Sequence, residues 1–254
     1  VEAMAEYLGF NVLRCDPPRA IAEGPEGFCS LEHLITESDI ITLHVPLDDN
    51  TRGMVNEAFF TLMKPGAIFI NAARGEIVDE AALMQAYPKL GAVVIDTWNN
   101  EPDVNEELID NVDIATPHIA GYSYQGKQMG TAMNGTSLAV RAVARHFGID
   151  ALYDFFPVLD FPDHEPVLLD LKGMNQGEIA AVFQYNYPIF TDDFRFRMEP
   201  HKFERFRSEY QYRREIIYTN TTTNMFRKED IIQIEQRGSS VQTVEQQVER
   251  FKQG

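Results

Sequence analysis

Ile68-Phe69-Ile70-Asn71-Ala72-Ala73-Arg74-Gly75, Ile95-Asp96-Thr97-Trp98-Asn99-Asn100-Glu101-Pro102 and Thr116-Pro117-His118-Ile119-Ala120-Gly121-Tyr122 all lie in one stretch, Ile68 to Tyr122. Each begins where a short apolar run, Ala67–Ala72, Ala92–Asp96 or Val112–Ala115, gives way to a loop. Runs that are apolar on both faces are how strands buried inside a parallel sheet read. Between two of them, Asp79–Tyr87 puts Ala82, Leu83 and Ala86 at helical spacing. Strand and helix in alternation predict an α/β fold with a doubly wound parallel sheet. In such a sheet ligands gather beyond the carboxyl ends of the strands, and the three loops fall there.

Outward toward the amino end the same alternation continues. Asn56–Met63 reads as a helix and Lys64-Pro65-Gly66 as a turn; Asp39–Val45 reads as a buried strand closed by Pro46, and Ser30 as the N-cap of a helix through Leu31, Leu34 and Ile35. Glu2–Leu8 reads as a helix ended by Gly9, followed by a buried strand, Asn11–Cys15, that delivers Asp16 to the loop edge. A helix and then a strand ending in an acidic residue is the second half of a dinucleotide-binding βαβ unit. The glycine-rich turn of such a unit, G-x-G-x-x-G, does not occur in these residues. The expectation is a dinucleotide-binding domain over residues 1–122 without its first strand.

Asp16 has two readings. It is a turn-forming aspartate before Pro17-Pro18, or a carboxylate that accepts from ribose hydroxyls and repels a 2′-phosphate, which favours NAD over NADP. Arg74 taken alone is a surface charge; at a strand end its planar guanidinium also suits two-point recognition of a carboxylate. Glu101 is either a solvated loop carboxylate or the partner that orients a histidine ring. His118 is one of six histidines, most of which in any chain are structural, yet an imidazole can take a hydroxyl proton while a cofactor carries a hydride. His44, at the end of the Asp39–Val45 run, reads as structural.

In order and spacing these motifs resemble those of the D-2-hydroxyacid dehydrogenases, and Cys15-Asp16-Pro17-Pro18-Arg19-Ala20 resembles a branch acting on a small phosphorylated 2-hydroxy acid. The resemblance runs from Val1 to about Tyr218. It implies NAD as cofactor and a catalytic set of Arg74, Glu101 and His118. It implies cofactor contacts at Asp16, Val45, Ala73, Asp96 and Gly121, and substrate contacts at Arg74 and Tyr122. Where the family has a threonine beside Pro46 this chain has Val45, so a backbone contact survives there and a hydroxyl contact does not. The nearest rival is another branch, acting on phosphoglycerate or hydroxypyruvate; the Asp16-Pro17-Pro18 string and the carboxyl-terminal unit argue against it. A non-enzymatic reading also stands: a remnant that only dimerises through its carboxyl-terminal part.

The rest of the chain is read more coarsely. Ser123–Phe147 is expected as one long helix ended by Gly148, within a segment 123–149 that returns toward a substrate domain not included in these residues. Asp150–Pro166 reads as a linker. Residues 150–218 are expected as a small α+β unit with a strand over Pro166–Leu171, a helix over Gln176–Gln184, and a helix over Pro200–Ile217 carrying Phe203, Phe206, Tyr210 and Ile217 on one stripe; the resemblance implies that this unit is a dimerisation domain. Residues 219–224 read as a polar linker. From Met225 a fresh amphipathic helical segment is expected, through Ile231, Ile232 and Ile234, as the start of an unrelated fused unit.

Composition narrows the partners. With 39 acidic against 22 basic side chains the net charge is −17, which disfavours nucleic acid and anionic membrane surfaces. Cys15 and Cys29 match no metal-ligand spacing and read as reduced thiols, and no apolar run approaches the roughly 20 residues a membrane span needs. A cytoplasmic homodimer that holds no metal is the expectation.

Overall fold

The computed structural model describes residues 1–122, 135–155, 166–170, 173–211, 213, 217–219 and 231–235. It divides into two compact units. One comprises Asn11–Ala120 and Ile189–Tyr210; the other comprises Val1–Phe10, Gly121–Pro188 and Gln211–Gly254.

The first unit is built on a four-stranded parallel sheet: β1 (Ile40–Leu43), β2 (Ile68–Asn71), β3 (Ala92–Ile95) and β4 (Ile114–Ala115), in the order β1-β2-β3-β4. The register sets Leu43 beside Asn71, Asn71 beside Ile95, and Ile95 beside Ala115, so all four strands finish on one edge. The helices of this unit are α2 (Pro17–Glu23), α3 (Leu31–Glu37), α4 (Glu57–Leu62), α5 (Glu80–Ala86) and α6 (Glu106–Asn111), with two more from far along the chain. Their starts are specified locally. The side chains of Ser30, Asn56, Asp79 and Asn105 each accept from backbone amides of the first turn, the kind of cap that contributes about 1 kcal/mol.

Helices this short are not stable alone, so packing holds them. Phe59 and Phe60 from α4 meet Phe69 of β2 edge-to-face, with ring centroids 6.5 and 5.3 Å apart, and all three are buried. Ile41, Leu43, Val93, Ile95, Leu108 and Ile109 complete the layer, each stabilising by roughly 1.5–3 kcal/mol on burial.

Asn11–Cys15 departs from expectation, since it forms no strand. Its recorded backbone tie is the Cys29 N–H donating to the Arg14 carbonyl at 2.8 Å. A strand exists only by pairing, and β1 pairs with β2 alone. Leu13 and Ile40 are more than a third exposed.

The two late helices are α9 (Ile189–Met198) and α10 (Phe203–Ser208). They belong to the sheet unit, although the sequence grouped them with a carboxyl-terminal domain over 150–218. Phe196 and Phe203 are fully buried there, 5.8 Å apart. The helix expected over Pro200–Ile217 ends at Ser208, and Ile217 lies in a strand.

The second unit contains α1 (Glu2–Tyr7), α7 (Gly135–Phe147), α8 (Gln176–Asn186) and a three-stranded antiparallel sheet of β5 (Pro166–Asp170), β6 (Ile217–Thr219) and β7 (Ile231–Glu235), ordered β5-β7-β6. Asn175 and Glu178 form a reciprocal capping box at the start of α8, and Ala181, Val182 and Tyr185 are buried. The helical expectation for Ile231–Ile234 is corrected: three isoleucines in five residues favour a pleated strand, and β7 is the middle of the sheet. Residues 231–235 are thereby tied to 166–170 and 217–219 instead of opening a separate helical unit. Thr219, read as linker, ends β6. The expected helix start over 123–134, the linker over 156–165 and 220–224, and the helix through Val241 to Phe251 lie outside the described residues.

Candidate active site

Three of the sequence motifs converge at the carboxyl ends of β2, β3 and β4. The β2 end is shaped by Asn71, a buried polar residue whose side chain accepts from the Ala73 amide and donates to the Arg74 carbonyl, both at 3.0 Å. That staple turns the chain so that Arg74 emerges exposed, its guanidinium donating to the Ala73 carbonyl at 2.6 Å. Gly75 follows against the next loop. A Cβ built there would sit 2.0 Å from the Trp98 carbonyl carbon and oxygen and 2.5 Å from the Asn99 nitrogen. Glycine is required at this position for space.

The β3 end delivers Asp96, almost wholly buried, and its carboxylate organises the β4 loop. Oδ1 accepts from the Thr116 hydroxyl at 2.7 Å and from the Ile119 amide at 2.8 Å; Oδ2 accepts from the Ala120 amide at 3.0 Å. The Asp96 carbonyl also accepts from the His118 amide at 2.7 Å. These bonds explain an unusual backbone. His118 has φ of +55°, a left-handed conformation that costs a non-glycine residue about 1–3 kcal/mol and persists only where its surroundings over-determine it. Burial pushes the Asp96 carboxyl above the ordinary aspartate range, while the Thr116, Ile119 and Ala120 donors pull it back.

His118 Nδ1 meets Glu101 Oε2 at 2.7 Å, and both side chains are mostly buried. The other Glu101 oxygen accepts from the Trp98 amide at 2.9 Å, which fixes the carboxylate plane. Trp98 is itself buried and donates its indole N–H to the Thr116 carbonyl at 2.9 Å. One tryptophan therefore holds the loop on each side of the pair. Asn99 ties the same loop down, its amide donating to Glu80 and its side chain to the Val78 carbonyl. A carboxylate on Nδ1 leaves Nε2 as the ring atom that exchanges a proton with a ligand.

The remaining expected positions are placed as follows. Ala73 is buried in the β2 turn, and Val45 lies partly buried just past β1. Asp16 caps α2, its Oδ1 accepting from the Arg19 amide at 3.1 Å, as the turn reading requires. Gly121 and Tyr122 fall in the second unit. Asn71, Trp98 and Thr116 hold the three loops together, a role that motif matching does not assign to them. Their signal in sequence is polar or hydrogen-bonding side chains embedded in otherwise apolar strand ends.

The fit to a dinucleotide is partial. Asp16 supplies an acceptor suited to ribose hydroxyls, and the β3 and β4 loops supply a polar edge. The buried Thr97 hydroxyl has no protein partner among the described residues. No glycine-rich turn occurs in the chain to cradle a pyrophosphate. Among the described residues no cluster of histidine, cysteine, aspartate or glutamate is arranged for a metal ion, and no helix is long and apolar enough to cross a membrane.

Comparison with known proteins follows the same lines. Residues 1–120 match the D-isomer specific 2-hydroxyacid dehydrogenase, NAD binding domain family. Erythronate-4-phosphate dehydrogenase of Yersinia pestis (strain Pestoides F) is 35% identical over 224 residues, covering 85% of this chain and 58% of the relative. The enzyme of that name from Yersinia pseudotuberculosis serotype O:1b (strain IP 31758) matches equally. The chain thus spans 58% of the length of these curated relatives. Among solved structures, D-lactate dehydrogenase with NAD+ from Lactobacillus jensenii is similar at 33% identity and a TM-score of 0.42, over 48% of this chain and 42% of that one.

Proposed function

We propose, from the premise that residues 1–120 of this chain belong to the D-isomer specific 2-hydroxyacid dehydrogenases as their NAD-binding domain, that the Glu101–His118 pair moves the proton in NAD-dependent oxidation of a 2-hydroxy acid. The observation that carries the reading is the 2.7 Å contact between His118 Nδ1 and Glu101 Oε2, held from both sides by Trp98 and backed by the Asp96 clamp. The substrate is a small phosphorylated acid, 4-phospho-D-erythronate, giving 2-oxo-3-hydroxy-4-phosphobutanoate on the way to pyridoxal 5′-phosphate. Identity of 35% to enzymes named for that substrate supports this choice over the phosphoglycerate and hydroxypyruvate types.

A bound nicotinamide would supply the hydride acceptor for the substrate's hydroxyl-bearing carbon. The chain's own residues do the rest. His118 Nε2 accepts the hydroxyl proton, and Glu101 holds Nδ1–H so that the ring keeps one tautomer and the resulting positive charge has a counter-ion. Arg74 turns from the Ala73 carbonyl to bind the substrate carboxylate in two-point fashion. Asp16 holds the adenosine ribose, Asp96 and the Ala73 and Val45 backbones border the cofactor, Gly121 allows its close approach, and Tyr122 holds the distal phosphate. The working enzyme is a cytoplasmic homodimer assembled through the carboxyl-terminal part.

A second reading is favoured by Asn11–Cys15, which forms no strand of the sheet: these residues by themselves bind NAD negligibly. Calorimetric titration of the chain with NADH, followed by an assay of nicotinamide reduction with 4-phospho-D-erythronate, separates the two. Reduction that requires the phosphorylated acid and disappears in His118→Asn supports the enzyme reading, because asparagine tolerates the left-handed backbone and keeps the loop. Heat-silent titration supports the second. Equal reduction rates with lactate sink the substrate assignment.

A further inference from the structure

The helix α9 comes from far along the chain, with Asp193 78 residues beyond Ala115, yet it reaches the loops of the site twice. On one face Asp193 Oδ1 accepts from the Ala115 amide at 2.6 Å. That amide points away from β3, on the outer side of the sheet's last strand, where an unpaired N–H would otherwise remain. Arg197, one turn on, donates Nε to both Asp193 oxygens at 2.9 and 3.1 Å, one terminal nitrogen to the Val112 carbonyl at 2.7 Å, and the other to the Ile109 carbonyl. The two side chains together close the outer side of β4. The second contact is aromatic: Phe196, fully buried, lies edge-on to Trp98 with centroids 5.7 Å apart.

Both contacts end on the same pair. Ala115 is followed by Thr116, whose carbonyl accepts from the Trp98 indole and whose hydroxyl donates to Asp96. Trp98 in turn holds Glu101 by its amide, and Glu101 holds His118. β4 is only two residues long, bonded to β3 on one side. Its position along the normal to the strand is set by what holds the other side.

We propose that Asp193 is a positioning residue for the Glu101–His118 pair, acting by capturing the outward Ala115 amide and so fixing the strand end from which Thr116 and His118 follow. The inference rests on the role proposed above for that pair, but its test does not need cofactor or activity. With histidine carrying heavy nitrogen, the Nδ1–H proton of His118 held by Glu101 gives a strongly downfield NMR resonance in the unsubstituted chain. Asp193→Asn keeps an acceptor oxygen for Ala115 and should retain that resonance; Asp193→Ala should lose it while circular dichroism stays that of a folded chain. Hydrogen exchange supplies a check without substitution. The Ala115 amide should be protected like the Thr116 amide, which is bonded to the Ile95 carbonyl.

Three results overturn the proposal: the resonance persisting unchanged in Asp193→Ala, its absence from the unsubstituted chain, or an Ala115 amide that exchanges as freely as an exposed one while Thr116 is protected. Should Asp193→Ala fail to fold, the Ala115 exchange rate and the Asp193→Asn spectrum decide. Silence in the NADH titration with the resonance present would count against the proposed function and leave the positioning role standing.

Discussion

Replacing Gly75 by alanine adds one methyl group at the point where the Arg74 turn and the Trp98–Glu101 loop touch. The atoms it meets are the Trp98 carbonyl and the Asn99 nitrogen, at 2.0 and 2.5 Å, all backbone. No side chain can rotate aside, and the carbonyl must retreat by well over an ångström before ordinary contact is restored. That retreat pulls on the Trp98 amide bonded to Glu101 and on the Asn99 amide bonded to Glu80. Overpacking a rigid site costs about 1–3 kcal/mol, and a purely backbone clash belongs at the upper end. With a urea slope of about 1–3 kcal/mol per molar, the midpoint should fall by roughly 1–3 M. Trp98 is the sole tryptophan and lies buried beside the added methyl, so its fluorescence reports this unit directly. Gly53→Ala serves as comparison: its φ is +63° but its surroundings are open, so only the left-handed penalty of about 1–2 kcal/mol applies. A Gly75→Ala midpoint within a few tenths molar of the unsubstituted chain would refute the close approach and the coupling of the two loops.

Three further outcomes are expected. Glu101→Gln, in whatever form of the protein shows turnover, should lower kcat by about 10²–10⁴-fold with little change in KM, and steady-state kinetics that leave kcat untouched would remove Glu101 from the proton relay. Trp98→Phe should cost about 1–3 kcal/mol in denaturation followed by circular dichroism, since the Thr116 carbonyl loses its buried donor. Burial, with the neighbouring Cys29 and Asp16 adding, pushes the Cys15 thiol above its ordinary value of 9.0. The unfolded thiol therefore loses its proton first, so stability from this group is present below that value and is lost as pH rises through the folded one. Alkylation of Cys15 at mildly alkaline pH should be slower in buffer than in denaturant, and equal rates would refute the shift.

The sheet was legible because its strands are buried on both faces and announce themselves as apolar runs; Ile40–Leu43, Ile68–Asn71 and Ala92–Ile95 each sit inside the run predicted for them. The cap at Ser30 followed from local chemistry, whereas Asn56 and Asp79, read only as the starts of helices, prove to be caps as well. Asn11–Cys15 was misread because a strand's composition says nothing about whether a neighbour exists to pair with it. Ile231–Glu235 was misread for the complementary reason: isoleucines spaced for a helix face also suit a strand, and the choice was made by β5 and β6. In the site, Glu101 and His118 were found by motif and are in contact, while Asp96 was assigned to the cofactor and is seen gripping its own chain. The Asp193–Ala115 bond was invisible in sequence because Asp193 and Arg197, four apart on a helix, look like an ordinary surface pair.

The Asp193–Ala115 bond spans 78 residues, and that separation has a consequence in time. The four parallel strands are neighbours in the order in which they leave the ribosome, so each can dock on its predecessor as it emerges. β4 alone must wait for its outer closure. At a synthesis rate of about 5–20 residues per second, the delay between Ala115 and Asp193 is roughly 4–16 s. During that interval the outward Ala115 amide lacks its acceptor, so on the roles proposed above the positioning of the Glu101–His118 pair is completed only when the late helix arrives.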